Sequence, residues 1–237
     1  MKVYSYFANI NFKNQKELID LWRLSWSSRG FEPILLTEED AKKHLYYNDY
    51  VKELKQIHID VLDEEITDYG MSCYLRWMAY ATIDSDKPIL TMDYDIINTG
   101  LDIIELEFPI DTKIKLYSNY CPCFVSGTPD QFDGLCRKFV QISKQNIKKC
   151  KRKKVPFGLG NWYHDNEFFI YHHDLLNEDV IFTSSDKVLP FDCNVNMEGK
   201  AVHVSHSSVM KFKQQNPDYI YKGDDLRTHL IKTILLK

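Results

Sequence analysis

The first 37 residues constrain the fold most, because they read as a strand, a helix and a second strand in direct succession. Val3 to Ala8 is β-branched and aromatic, as a buried strand requires. Asn14 stands three residues before Glu17 as a variant capping box. Leu18, Leu21, Trp22, Ser25 and Trp26 then recur at helical spacing until Gly30 stops the helix. Phe31 to Leu36 supplies the second strand, and Thr37-Glu-Glu-Asp40 opens another helix. Such a βαβ unit favours a parallel sheet covered by helices, so the expected class is α/β.

Further along, a helical region runs from about Tyr50 into Tyr69–Ala81, with a break near Asp68–Gly70. In its second piece Tyr74, Trp77, Met78 and Ala81 share one face while Arg76 points elsewhere. Asp84 to Pro88 is turn chemistry, and Ile89-Leu-Thr-Met92 is a short apolar strand. Short strands follow around Ile114–Tyr117 and Pro122–Val125. Thr128-Pro129 with Gln131 marks a strong helix start, and that helix extends to about Gln145. The last third holds a segment Asn161–Tyr171, a strand Ala201–Val204 and a final helix from about Asp224. No repeat or Gly/Ser linker divides the chain, so one domain over 1–237 is expected.

The feature richest in chemistry is Pro88-Ile-Leu-Thr-Met-Asp93-Tyr-Asp95-Ile-Ile-Asn98. Ligands of open α/β sheets gather at the carboxyl ends of strands. Residues i and i+2 of an extended segment face the same way, so Asp93 and Asp95 can hold one hard divalent cation through oxygen. That cation would bridge the two phosphates of a nucleoside diphosphate. A solvated acidic turn is the alternative.

Together with the preceding Cys73-Tyr-Leu-Arg76-Trp-Met-Ala-Tyr-Ala, this segment resembles the DXD region of GT-A nucleotide-sugar glycosyltransferases. In those enzymes a helix carrying a basic residue precedes a strand that ends in the DXD pair. The likeness covers most of the chain in the order of parts but only about three short segments in sequence. The size and the Lys/Asn/Tyr-rich composition look similar to small viral or microbial transferases. The resemblance implies a GT-A-like, Rossmann-like mixed sheet, mostly parallel and flanked by helices. Residues 1–98 would form the nucleotide-sugar part and 99–237 the acceptor side. It also implies Mn²⁺ or Mg²⁺ as cofactor, a nucleotide-sugar donor (UDP-sugar by default) and a glycan or glycoprotein acceptor. Asp95 would hold most of the metal, with Asp93 orienting ribose or bound water. Phe7, Ala8, Asn9 and Tyr94 would line the nucleotide, and Arg76 would pair with a carboxylate or phosphate.

Two further segments fit that scheme. Trp162-Tyr-His-Asp165-Asn-Glu167-Phe-Phe places carboxylates beside aromatic rings, where partial burial raises a carboxyl pKa and suits an acceptor base. By resemblance Asp165 or Glu167 fills that role; an ordinary helix N-terminus is the competing reading. Ala201-Val-His203-Val-Ser-His206 offers two candidate metal histidines, on opposite faces if the strand persists, with His203 favoured. Lys211 can reach a phosphate or stand as a solvated helix residue.

Two rivals remain. A strand ending in D-x-D also opens haloacid-dehalogenase phosphatases, with Asp93 as nucleophile, Ser126 or Thr128, a later lysine and Gly223-Asp224-Asp225 in compatible order. Those enzymes usually begin with that strand, whereas here a complete βαβ precedes it. A non-catalytic sugar-binding protein on a transferase scaffold is the other.

Composition narrows the remaining classes. A formal net charge of -4 argues against a general nucleic-acid binder, so Lys148 to Lys154 reads as an exposed basic loop. No apolar run approaches the roughly 20 residues that span a bilayer. The opening MKVYSYFANINFKNQKEL lacks the apolar stretch of a secretory signal. Six scattered cysteines, with no second pair at zinc-finger spacing beside Cys121 and Cys123 and no Asn-x-Ser/Thr acceptor, fit reduced thiols. The expected location is cytoplasmic, in the host cytoplasm if the protein is viral.

Overall fold

A computed structural model of the chain describes residues 1–10, 15–102, 113–118, 121–148, 164–182, 200–219 and 225–236. The expected cap at Asn14, the pair Trp162-Tyr163, the basic run beyond Lys148 and the pair Gly223-Asp224 lie outside them.

The N-terminal unit forms as its pattern requires. Strand β1 (Lys2–Tyr6) leads to helix α1 (Gln15–Ser27), which buries Leu18, Ile19, Trp22, Ser25 and Trp26. Gly30 adopts φ +80, a conformation that disfavours any Cβ, and the Phe31 amide closes back on the Trp26 carbonyl at 3.2 Å. Strand β2 (Glu32–Leu36) then pairs with β1 in parallel. Helix α2 (Glu38–Ala41) starts at Thr37, whose amide donates to the Asp40 carboxylate at 2.8 Å.

The next helical region divides earlier than its sequence suggests. Helix α3 (Tyr47–Leu62) ends at Asp63 in the left-handed conformation, and α4 (Asp68–Ala81) begins after Thr67. Gly70 is no breaker. Its amide donates to Thr67 Oγ1 at 3.0 Å inside the first turn, where a Cβ would meet the Ile66 and Thr67 side chains at 3.2 and 3.3 Å.

Strand β3 (Ile89–Met92) is wholly buried, and a short β4 (Ile96–Asn98) follows it. Strands β5 (Ile114–Leu116) and β6 (Phe124–Gly127) precede helix α5 (Pro129–Gln145), whose capping box joins Thr128 and Gln131 as expected. Helix α6 (Asp165–His172) with a 3-10 turn (His173–Leu175), strands β7 (Val180–Phe182) and β8 (Ala201–His203), and helices α7 (His206–Gln215) and α8 (Leu226–Leu235) complete the described elements.

The main sheet has six strands in the order β2-β1-β3-β6-β5-β7. Its pairings are parallel except where β6 runs against both β3 and β5. The mixed, mostly parallel α/β class expected from sequence is therefore observed. Side chains alternate between two apolar clusters. Tyr4, Tyr6, Ile89 and Val125 face α3 to α6, while Val3, Leu90, Met92 and Phe124 face α1, the β4–β8 pair and α8. The first cluster holds more buried aromatic rings than the second, and in it Trp77 lies against Phe132, Phe139 and Phe169 with ring centroids 5.7–5.8 Å apart. No described helix is long and apolar enough to cross a membrane. Cys73, Cys121, Cys123 and Cys136 are free thiols.

The α5 cap offers a direct check on this local logic. Thr128→Ala is expected to cost about 1 kcal/mol of stability, read as a lower midpoint in urea denaturation followed by tryptophan fluorescence. An unchanged midpoint would show that the cap contributes nothing.

Candidate active site

Strand β3 delivers Asp93 to the carboxyl end of the sheet, beside the ends of the parallel strands β1 and β2. The segment 93–95 is not extended. The Asp93 amide is anchored on the Cys123 carbonyl at 2.8 Å, and the chain turns so that the Ile96 amide donates to the Asp93 carbonyl at 3.0 Å. The two carboxylates therefore converge through a turn rather than through strand alternation, since the ladder with β6 stops at Met92.

The third group arrives from far along the chain. Strand β8 pairs antiparallel with β4 and sets His203 opposite Ile96, while the Val204 amide donates to the Asp95 carbonyl at 2.9 Å. His203 Nε2 then lies 3.3 Å from Asp95 Oδ1. Ligand atoms of Asp93, Asp95 and His203 all fall within 4.8 Å of one another. Asp95 Oδ1 is buried and makes no well-formed hydrogen bond. Two carboxylates, an imidazole and one under-satisfied buried oxygen suit a divalent cation that accepts mixed oxygen and nitrogen donors.

The electrostatics are unequal across the cluster. Burial raises the Asp95 carboxyl pKa, but Arg227 and His203 outweigh it and hold the group well below the carboxylate range. Burial likewise opposes the charged form of His203, yet the neighbouring Asp95 carries its pKa up to about 9. At Asp93 burial prevails over the pull of Arg76, and the nearby Asp95 charge adds to it, so that pKa is raised.

His206 stands apart from this group. The strand does not persist to it: Ser205 caps α7, and His206 is the first residue of that helix, exposed, with Nε2 3.5 Å from Arg227 Nη1. The desolvation of its ring beside α8 and the charge of that guanidinium lower its pKa.

A second set of contacts ties the turn to α6. Arg76 leaves the polar edge of α4 and donates from Nη1 to Asp93 Oδ1 at 2.7 Å. It also donates from Nε and Nη2 to Asp165 Oδ2 at 2.9 and 2.5 Å. Trp77 Nε1 donates to the same oxygen at 2.8 Å. Burial would raise the Asp165 pKa, but Arg76, His164 and Trp77 outweigh it and the net shift is downward. The expectation that partial burial raises a carboxyl pKa here is reversed at Asp165 and met at Glu167. There burial outweighs the opposing pull of His164. Cys73, His164 and Asp165 also lie close enough to share an ion; Arg76 and Trp77 hold Asp165 Oδ2, and Oδ1 lies 3.4 Å from His164 Nδ1.

The remaining candidates are distributed unevenly. Phe7 and Ala8 follow β1, Asn9 is exposed, and the Phe7 ring meets Tyr94 edge-on at 6.4 Å. Gln15 joins the two segments by donating to the Ala8 carbonyl and the Tyr94 hydroxyl at 3.4 and 3.3 Å. Lys211 is exposed on α7. Thr128 and Asp225 of the phosphatase reading both serve as helix caps, and Ser126 is buried against the Tyr117 hydroxyl. Sequence reasoning missed Gln15, the Trp77 indole and Arg227. A polar residue among apolar ones on α1 hints at the first, but nothing local marks Arg227.

No family model matches the sequence, and no curated protein matches it. Among solved structures the chain is similar to the apo-form glycosyltransferase GlyE of Streptococcus pneumoniae TIGR4, at 10% identity and a TM-score of 0.48. That match covers 99% of this chain and 60% of GlyE, so the chain spans about 60% of the length of that protein.

The Arg76 contacts carry a stability consequence. Arg76→Met leaves Asp165, 1% exposed, without its guanidinium and with only His164 as a cationic partner, and is expected to cost about 3–5 kcal/mol in chemical denaturation. A loss below about 1 kcal/mol, the scale of a surface pair, would show that the cluster is well solvated.

Proposed function

We propose that the chain is a metal-dependent glycosyltransferase that moves a sugar from a nucleoside-diphosphate sugar, with UDP-sugar as the default donor, to a glycan or protein-linked acceptor. The observation that carries this reading is the convergence of Asp93, Asp95 and His203 at the carboxyl end of parallel strands. Those three residues would hold Mn²⁺ or Mg²⁺, which supplies Lewis-acid stabilisation of the charge on the departing diphosphate. Phe7, Ala8, Asn9 and Tyr94 would line the base and ribose, a role supported by the edge-on contact of Phe7 with Tyr94 and by Gln15 donating to the Tyr94 hydroxyl. Arg76, fixed by Asp165, orients Asp93.

Of the two acidic candidates on α6, Glu167 is the better acceptor base. Its carboxyl keeps a raised pKa and 17% of its side-chain surface is exposed; it also caps α6 and lies 3.0 Å from His164 Nδ1, whereas Asp165 is committed to Arg76 and Trp77.

The metal reading is tested by calorimetric titration of UDP with Mn²⁺ present. Binding is expected to be lost in excess chelator and weakened at least about tenfold in Asp93→Asn and Asp95→Asn, the scale of a lost charge-assisted ligand. Melting temperatures control for the unpairing of Arg227 in Asp95→Asn. Chelator-insensitive binding in the parent would sink the assignment.

The base is tested by transfer assays on Glu167→Gln and Asp165→Asn. Glu167→Gln should slow transfer by about 10²–10⁴-fold with UDP affinity retained, while Asp165→Asn should act mainly by lowering stability. Parental turnover in Glu167→Gln would place the base elsewhere.

A further inference from the structure

Arg227 reaches the site from outside every motif discussed above. Asp225 caps α8 and accepts from the Arg227 and Thr228 amides at 3.2 Å each, which fixes Arg227 in the first turn. From there its side chain, 11% exposed, runs back to the β8 end. Nε donates to the Val204 carbonyl at 2.7 Å, Nη2 donates to Asp95 Oδ2, and Nη1 faces His206 Nε2 at 3.5 Å. The guanidinium and the candidate metal site thus share one carboxylate.

The charges dictate what this sharing implies. Arg76 is balanced mainly by Asp165, so a divalent cation held by Asp93 and Asp95 would draw Asp95 away from Arg227 and leave that guanidinium with the α8 cap Asp225 as its remaining nearby carboxylate. The metal and the guanidinium would then share the single charge of the carboxylate between them, and an added anion offsets the repulsion that this one charge leaves unbalanced. A guanidinium is a planar fork suited to phosphate oxygens, and the nucleotide reading places a diphosphate at this point.

Resting on that reading, we propose that Arg227 is a diphosphate-binding residue whose hold on Asp95 makes metal and diphosphate bind as a unit. A metal alone must compete with the guanidinium for Asp95. A diphosphate gives Arg227 a second partner and removes that competition, and linkage makes the effect reciprocal.

The test uses the full chain, its Arg227→Gln and Arg227→Lys variants, and two probes: Mn²⁺ alone, followed by electron paramagnetic resonance, and preformed manganese–pyrophosphate, followed by calorimetry. Arg227→Gln should bind Mn²⁺ alone about tenfold more tightly than the parent and the complex about tenfold more weakly, within the usual range of coupling between sites. Arg227→Lys, which keeps the charge and loses the fork, should fall between the two for the complex, and it carries the test if the Gln variant does not fold. Parental affinity for the complex in the folded variant would reduce Arg227 to a structural partner of Asp95 and overturn the proposal. Equal affinity for Mn²⁺ alone in parent and Gln variant would overturn the competition. A parent that binds neither probe would overturn the metal site itself, and this proposal with it.

Discussion

Three carboxylates sit close together, Asp95 and Asp165 buried and Asp93 partly so, and their need for positive partners organises the rest of the site. An ionised carboxylate withdrawn from water is costly unless paired and hydrogen-bonded. Arg76 answers that need for Asp93 and Asp165 together, while Arg227 and His203 answer it for Asp95. Each cation comes from a different element, namely α4, α8 and β8. The turn after β3 is thus the point on which both layers of the fold close.

Rigidity around that turn comes from packing. Trp77 belongs to the core and to the site at once: its ring lies among Phe132, Phe139 and Phe169, and its Nε1 holds Asp165. Its neighbour Arg76 is therefore presented from a helix that cannot shift without disturbing the aromatic cluster. On the other layer, Trp26 donates from Nε1 to the Ile96 carbonyl at 2.9 Å, which ties α1 to β4 immediately after Asp95. A constellation carried on such supports keeps its geometry better than one carried on loops alone.

Much of the architecture was legible from local pattern. The βαβ opening, β3 and the whole of α5 follow from alternation, helical spacing and capping chemistry. Errors arose where one residue type serves two purposes. Gly70 reads as a breaker but lies within the first turn of α4, and the segment 93–95 reads as extended but turns. Strands β4 and β7 are three residues each, too short to leave a periodicity, and exist because partners elsewhere in the chain complete their hydrogen bonds.

The candidate site divides along the same line. The sequence by itself determined that an apolar strand ends in two aspartates, and that Thr128 and Gln131 start a helix, because such features depend on neighbours a few residues away. It also made Arg76, Asp165, Glu167 and His203 candidates by residue type and position. Only the tertiary structure decided that Arg76, 17 positions before Asp93, also meets Asp165 across 89 positions, and that Arg227 meets Asp95 across 132. Those pairings arise because folding removes the carboxylates from water and the chain must bring a cation to each, a requirement that no local stretch of sequence records.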